Sequence, residues 1–415
     1  MEEHKEHYLQ VLLRRVKENN SKRYVKALKN EKGEPQALHC YRDSHQMMKL
    51  QDSFGECMVR DGCFIIELFR RRANRDEYED FSNDKLFNMR WMRPYLKCDM
   101  ILFENQIPLF ILRALFALTE KRPDTDKDFL KLALGFFDFN GERIPRDEIE
   151  IGRLDDIPHL LGLAYEALVV SKRKANLEQE TPKQQNSRLS KSLLLEYLIN
   201  IWSRFVRIIK ALVPGTPEQP NYNRRRKSWE PIRTAVALEQ VGVRFVKAND
   251  NAPFYDIGFI GGQLIIPGLV IHDGTECLFR NLVAYEQYSK NSCLHRVVDY
   301  LHVMDCLINS SKDVELLRHC GIIDNAIGDD WMVSDMFNRL HSNVWYDPNA
   351  FFYTDMFNDV NEFCKNPWSV RIAKLKTEYF SSPWSVISFL AAVLLLLLTV
   401  TQTVYAGLSY HRPKS

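Results

Sequence analysis

The segment Asp99-Met100-Ile101-Leu102-Phe103-Glu104-Asn105-Gln106-Ile107-Pro108 runs directly into Leu109-Phe110-Ile111-Leu112-Arg113-Ala114-Leu115-Phe116-Ala117-Leu118. Pro108 suits the first turn of a helix, where its missing N–H costs nothing. Asn105 is placed to cap that helix through its side-chain oxygen. A helix apolar all round belongs at the centre of a core, so the fold is expected to be helices gathered about Leu109–Leu118.

Other helical stripes extend outward from this segment. Leu9, Leu12, Leu13 and Val16 give an amphipathic N-terminal helix. Val297, Tyr300, Leu301, Met304, Leu307 and Ile308 mark a core helix, and Ser311 to Cys320 another that Gly321 ends in a left-handed cap. Asp61-Gly62 is read as a break before the buried helix Cys63–Phe69, which then enters a surface loop from Arg70 to Asp80. A short hairpin of Val243–Phe245 with Gln263–Ile266 is the natural strand assignment, because β-branched residues lie there between Gly and Pro.

The fold class is therefore mainly α with a small β element: a large helical domain in one or two lobes plus one C-terminal transmembrane helix. Residues 1–170 form the N-terminal helical part. Ser171–Ser192, rich in Lys, Gln, Glu, Asn and Ser, reads as a disordered polar insertion. Residues 193–378 form the C-terminal helical part with the hairpin. Within it a helix at Leu193–Leu212 is followed by the Pro-rich stretch Pro214–Lys227, and the two polar stretches divide the domain into lobes.

The anchor is assigned to Trp384–Ala406, inside a stretch from Tyr379 to Tyr410 with no charged residue. At about 1.5 Å per residue this helix crosses a hydrocarbon core of roughly 30 Å. Trp384 at one end and Tyr405 and Tyr410 at the other place amphipathic rings at headgroup level. Residues 407–415 form a short tail. Arg371, Lys374 and Lys376 outweigh Arg412 and Lys414, which favours a cytoplasmic side for the large domain and a tail-anchored, single-pass arrangement. The charged start Met1–His7 has no signal-peptide character.

Composition narrows the function classes. With 415 residues, 45% hydrophobic and 27% charged, the chain can bury a large core. A net charge of +2 exerts no global pull on nucleic acid. The 9 cysteines contain no CxxC pair, so reduced and mostly buried thiols are expected. No phosphate-binding loop, HExxH, GxSxG, EF-hand or zinc-finger spacing occurs, and neither a catalytic residue, a cofactor nor a metal is assigned.

Weak candidates remain. Asp61, Asp99, Glu104, Asp273 and Glu286 each adjoin apolar residues that raise a carboxyl pKa by desolvation. Caps and hydrogen-bonded core carboxylates are the commoner explanation. His272-Asp273 and Asp329-Asp330 have the chemistry for proton transfer or a metal, but each lacks a third partner. Arg224–Lys227 is a short basic run in a linker without interleaved aromatics, so nucleic acid is not the expected partner. Asn19-Asn20-Ser21 and Asn309-Ser310-Ser311 fit the glycosylation pattern.

Several phrases resemble the plant family called domain of unknown function 247 over most of the chain. They are Met1–Lys5 with Tyr8-Leu9, Met58–Glu67 and, most diagnostic, Asp99–Pro108. Further on come Arg280–Gln287, Asp313-Val314 with Gly321-Ile322-Ile323, and Thr401–Tyr405 after the Leu-rich run. The resemblance implies a plant, membrane-anchored protein without an established catalytic activity, some relatives being associated with self-incompatibility in grasses. It supplies no catalytic residues. It also implies an upstream segment rich in Pro, Ser and Gly, which does not precede Met1–Lys5 here, so a truncated product is expected.

The leading expectation is a non-enzymatic recognition or signalling module at a membrane, with the lipid bilayer and other proteins as partners and with Arg70–Asp80 and Ser171–Ser192 as exposed contact loops. The alternative is an enzyme whose carboxylate site gathers Asp61, Asp99, Glu104 and Glu286. It requires at least two of them to converge in a cleft.

Overall fold

The N-terminal stripe forms α1 (Glu2–Val16), which buries Tyr8, Leu9, Leu12 and Leu13, and α2 (Lys22–Leu28) buries Tyr24 and Leu28. Both lie on α3 (Gln51–Ala73). The computed structural model describes residues 1–29, 40, 51–73, 89, 92–120, 125–137, 154–170, 229–250, 252–288, 295–342, 344–365 and scattered positions from 391 to 403. These belong to one compact unit drawn from Met1–Lys174 and Trp229–Ser415. The insertion Ser171–Ser192, the helix at Leu193–Leu212 and the stretch Pro214–Lys227 lie outside the described residues.

Asp61-Gly62 does not break the chain: α3 runs straight through it. Gly62 is there because α3 approaches α5 (Leu109–Thr119) closely, with α4 (Met92–Ile101) between them in sequence. A Cβ at Gly62 would lie 2.5 Å from Leu115 Cδ1 and 3.5 Å from Leu112 Cδ2. The glycine marks a close approach rather than a turn, and sequence alone does not distinguish the two uses.

The surface loop expected at Arg70–Asp80 is corrected at its start. Arg70 and Arg71 sit in the last turn of α3 and are buried. Arg70 bonds Thr119 and Glu120, and its guanidinium lies 4.8 Å from the centre of the Phe116 ring. Arg71 lies 4.5 Å over Tyr8. The fully buried Glu67 draws Arg15 to 3.5 Å and both Arg70 and Arg71 to 3.9 Å. Three cations around one buried carboxylate make burial tolerable. Residues 74–80 lie outside the described residues.

α5 is central, with Leu109, Ile111, Leu112, Leu115 and Phe116 buried. Pro108 precedes the first turn, but Asn105 does not cap it: its side chain donates to Asp99 O at 3.1 Å. Nor is α5 apolar all round. Arg113 leaves the core to meet Asp126 and Asp155, each at 2.7 Å, with Asp126 on α6 (Thr125–Phe136). α7 (Leu160–Tyr165), continued by a wider turn to Val170, closes the N-terminal half.

In the C-terminal half α8 (Ala235–Gln240) leads to β1 (Arg244–Lys247), β2 (Gly258–Ile260), β3 (Gln263–Ile266) and β4 (Leu269–Ile271). The predicted hairpin joins the right strands in the wrong sense. β1 and β3 do pair, with Phe245 opposite Leu264, but in parallel. The hairpin is β2 with β3, joined at Gly261 and Gly262, whose φ values of 59° and 81° suit the tight turn that matches strand twist. The helices are α9 (Thr275–Tyr288), α10 (Arg296–Leu307), α11 (Ser311–His319), α12 (Asp330–His341) and α13 (Thr354–Lys365). Between α11 and α12, β5 (Ile323–Asn325) pairs in parallel with β4. The predicted stripe is fully buried on and just beyond α10, and Gly321, at φ 72°, follows α11 as expected.

α4 and α7 both pack on α9, so the two halves share one hydrophobic core from Tyr8 to Val360. The architecture is mainly α with a small β element. Among the described residues no helix is long and apolar enough to cross a membrane. Within 384–406 the described positions are Ala391, Leu395, Leu398, Thr399 and residues 401–403, all helical and exposed.

Candidate functional site

Two of the four candidate carboxylates come together. Asp61 on α3 and Asp99 on α4 line one cleft of about 170 Å³ with Lys5, Asn105 and Gln106. Asp61 is held by Lys5 at 3.0 Å and lies 3.9 Å from Arg60. Glu104 is exposed and does not line the cleft, and Glu286 is buried elsewhere.

Glu286 is the core of a junction. One carboxylate oxygen accepts from Tyr165 Oη at 2.8 Å and Val297 N at 2.9 Å, the other from Val298 N at 3.0 Å. Those two N–H groups open α10, so a side chain of α9 caps α10 and ties both to α7. Burial pushes its pKa up to about 7, against the pull of its three donors. Asp299, accepting from Phe352 N at 2.9 Å, is likewise raised to about 6 by burial.

A polar string that sequence reasoning missed runs beneath an aromatic box. Asp305 lies 3.4 Å from His341 Nδ1, His341 Nε2 is 2.8 Å from His302 Nδ1, and His302 Nε2 is 3.8 Å from Cys306 Sγ. Trp229, Tyr346, Phe351 and Phe357 surround His302. Burial and the neighbouring His341 lower the His302 pKa to about 4, and burial pushes the Cys306 thiol up to about 12. The order resembles a nucleophile with its bases, but the thiol stays protonated near neutrality and is not an activated nucleophile. The only signal in sequence was the four-residue spacing of His302 and Cys306, which many helices share.

The other sequence candidates resolve locally. Asp329 caps α12 by accepting from Trp331 N at 2.9 Å, while Asp330 accepts from Asn325 at 2.9 Å and pairs with Arg318 at 3.3 Å. His272 Nδ1 accepts from Gly274 N at 3.0 Å, and burial lowers its pKa. Among the described residues no group of three or more His, Cys, Asp or Glu is arranged to hold a metal ion. The basic run Arg224–Lys227 lies outside the described residues, and both glycosylation-pattern asparagines are exposed.

A second groove, of about 190 Å³, lies where α12 faces the start of α9. Trp331 is 59% and Met332 47% exposed at its mouth. Its rim is ionic: Arg339 reaches Asp335 at 2.9 Å and Glu276 at 3.1 Å, and Asp273 and His272 complete it.

Residues 1–398, which span this whole arrangement, match the family described as plant protein of unknown function, DUF247. The chain belongs to that family. Among DUF247 relatives, the UPF0481 protein At3g47200 of Arabidopsis thaliana is 26% identical over 363 residues, covering 86% of this chain and 68% of its own. The putative UPF0481 protein At3g02645 of the same plant is 25% identical over 391 residues, covering 83% and 72%. No solved structure matches this DUF247 chain.

Proposed function

We propose that this DUF247 protein is a non-enzymatic recognition module held at a membrane through Trp384–Ala406, with its helical domain on the cytoplasmic side and a partner protein docking at the Trp331–Met332 groove. The observation that carries recognition is the exposure of Trp331 beside Met332 at a rimmed groove. Trp, Met and Arg are enriched where proteins meet, and an apolar centre inside a charged rim is the anatomy of such contacts.

The membrane part draws support from the described positions of the C-terminal stretch. Leu395 and Leu398 are 64% and 57% exposed. The nearby threonines satisfy their hydroxyls on their own helix: Thr399 donates to Leu395 O at 2.6 Å, Thr401 to Leu398 O at 2.9 Å, and Thr403 to Thr399 O at 2.8 Å. Exposed leucine with internally bonded hydroxyls suits a lipid surrounding, where no water is present to take up a polar group.

The test is made on full-length tagged protein in plant cells. Wild type is expected to stay in the membrane pellet through an alkaline wash, and a Leu395→Arg/Leu398→Arg variant is expected to be released. Proximity labelling should mark a defined protein set that Trp331→Ala/Met332→Ala loses while remaining membrane-bound. Release of wild type by the wash would end the membrane reading. A labelled set indifferent to the groove variant would end the docking reading.

A further inference from the structure

Cys98 and Cys277 lie on α4 and α9, one from each half of the chain, and bring their thiols within hydrogen-bonding reach of each other. Both residues are half-exposed and both are free thiols. Asn281 Nδ2 lies 3.7 Å from Cys277 Sγ and donates to Cys277 O at 2.7 Å, fixing that turn of α9. The same Asn281 accepts from Phe103 N at 2.8 Å, so the helix pair is held in register just beyond the thiols. The chain entering α9 runs against Cys98: a Cβ at Gly274 would stand 3.7 Å from Cys98 Sγ and 3.2 Å from the His272 ring.

The pair is chemically unequal. The hydrogen bond from Cys277 pulls the Cys98 thiol below its usual range, with a smaller contribution from Lys97, against burial and Asp99. Cys277 is pushed upward by the same hydrogen bond and by burial. A low-pKa thiol beside a thiol held protonated is the division between an attacking and a resolving cysteine. The other charged or titratable groups near the pair are Asp99 and Lys97 on α4 and His272 before α9.

We propose that Cys98 and Cys277 form a reversible regulatory disulfide that staples α4 to α9, made by exchange with a low-molecular-weight disulfide such as oxidised glutathione. The Cys98 thiolate attacks one glutathione sulfur, forming a mixed disulfide and releasing one glutathione thiolate. Cys277 then loses its proton and attacks the Cys98 sulfur, expelling the second glutathione. The protein gives up two electrons and two protons, and the glutathione disulfide becomes two glutathione thiols. Closure needs the sulfurs to reach about 2.05 Å with Cα atoms roughly 4.4–6.8 Å apart. A bond joining residues far apart in the chain restrains the unfolded state strongly, so oxidation is expected to raise the stability of the folded chain.

The experiment uses the full chain equilibrated in glutathione buffers of rising oxidised fraction, quenched and mapped by mass spectrometry without reduction. A peptide linking Cys98 to Cys277 should appear with oxidation, vanish with excess reduced glutathione, and raise Tm while present. Cys277→Ser should accumulate glutathione on Cys98, and Cys98→Ser should leave Cys277 largely unmodified. In the reduced wild type, Cys98 should alkylate at least several-fold faster at neutral pH than the half-exposed Cys320, whose pKa burial raises. Glutathione stable on Cys98 of the wild type with no link to Cys277, or Cys98 alkylating no faster than Cys320, would overturn the proposal. The alkylation readout needs no variant, so a poorly folding serine variant cannot rescue or hide it.

Discussion

At the scale of single residues, Glu286 shows how burial and hydrogen bonding compete. Its pKa is raised from 4.5 to about 7, so the folded chain binds that proton more tightly than the unfolded chain. The stability this adds is complete below about pH 4.5 and is lost as pH rises through 7, a change of roughly 3 kcal/mol. Denaturant midpoints across that range should fall for wild type, and Glu286→Gln should flatten the slope attributable to this site. Glu286→Gln should also cost about 1–3 kcal/mol at the acid end, because an amide cannot accept on both sides. An unchanged slope would place the titration elsewhere. Among the weak candidate carboxylates, Glu286 was legible as a carboxylate in an apolar setting, but its three donors come from Tyr165 and the first turn of α10. No local pattern announces partners that distant. Asp61 was equally visible, and only the fold shows that Lys5 already holds it.

At the scale of elements, the crossing of α3 over α5 turns on Gly62. Leu115 is fully buried, so its methyl has no space into which to retreat from a larger residue. Gly62→Val should therefore destabilise by about 1–3 kcal/mol despite the helix propensity it gains, as read by thermal or chemical melting. A neutral result would show that the helices can part without cost. Periodicity identified α1, α10 and α11 because a helix buried on one face must repeat its apolar residues at helical spacing. It missed the continuity of α3 because a glycine at a helix crossing and a glycine in a turn look alike in one dimension. The strand error has the same root. Gly261-Gly262 was the hairpin turn, but the parallel partnership of β1 with β3 depends on where α8 delivers the chain.

At the scale of the whole molecule, α4 and α7 pack on α9, which predicts cooperativity across the two halves. Leu115→Ala in α5 should cost about 2–5 kcal/mol and lower hydrogen-exchange protection in α9 and α10 as well as in α3. Loss confined to α3, α5 and α6 would mean that the halves open separately. The sequence by itself determined the helical class, the positions of the apolar faces and family membership, since these depend on residue spacing and on phrases read in order. It also determined an uncharged, apolar C-terminal stretch from Tyr379 to Tyr410, since hydropathy is additive along the chain. Only the tertiary structure decided that Arg70 and Arg71 are buried around Glu67, that Asp61 and Asp99 line one cleft while Glu104 and Glu286 do not, and that Cys98 lies by Cys277. Each of those facts is a distance between residues far apart in order, set by how helices cross and not by what any one helix contains.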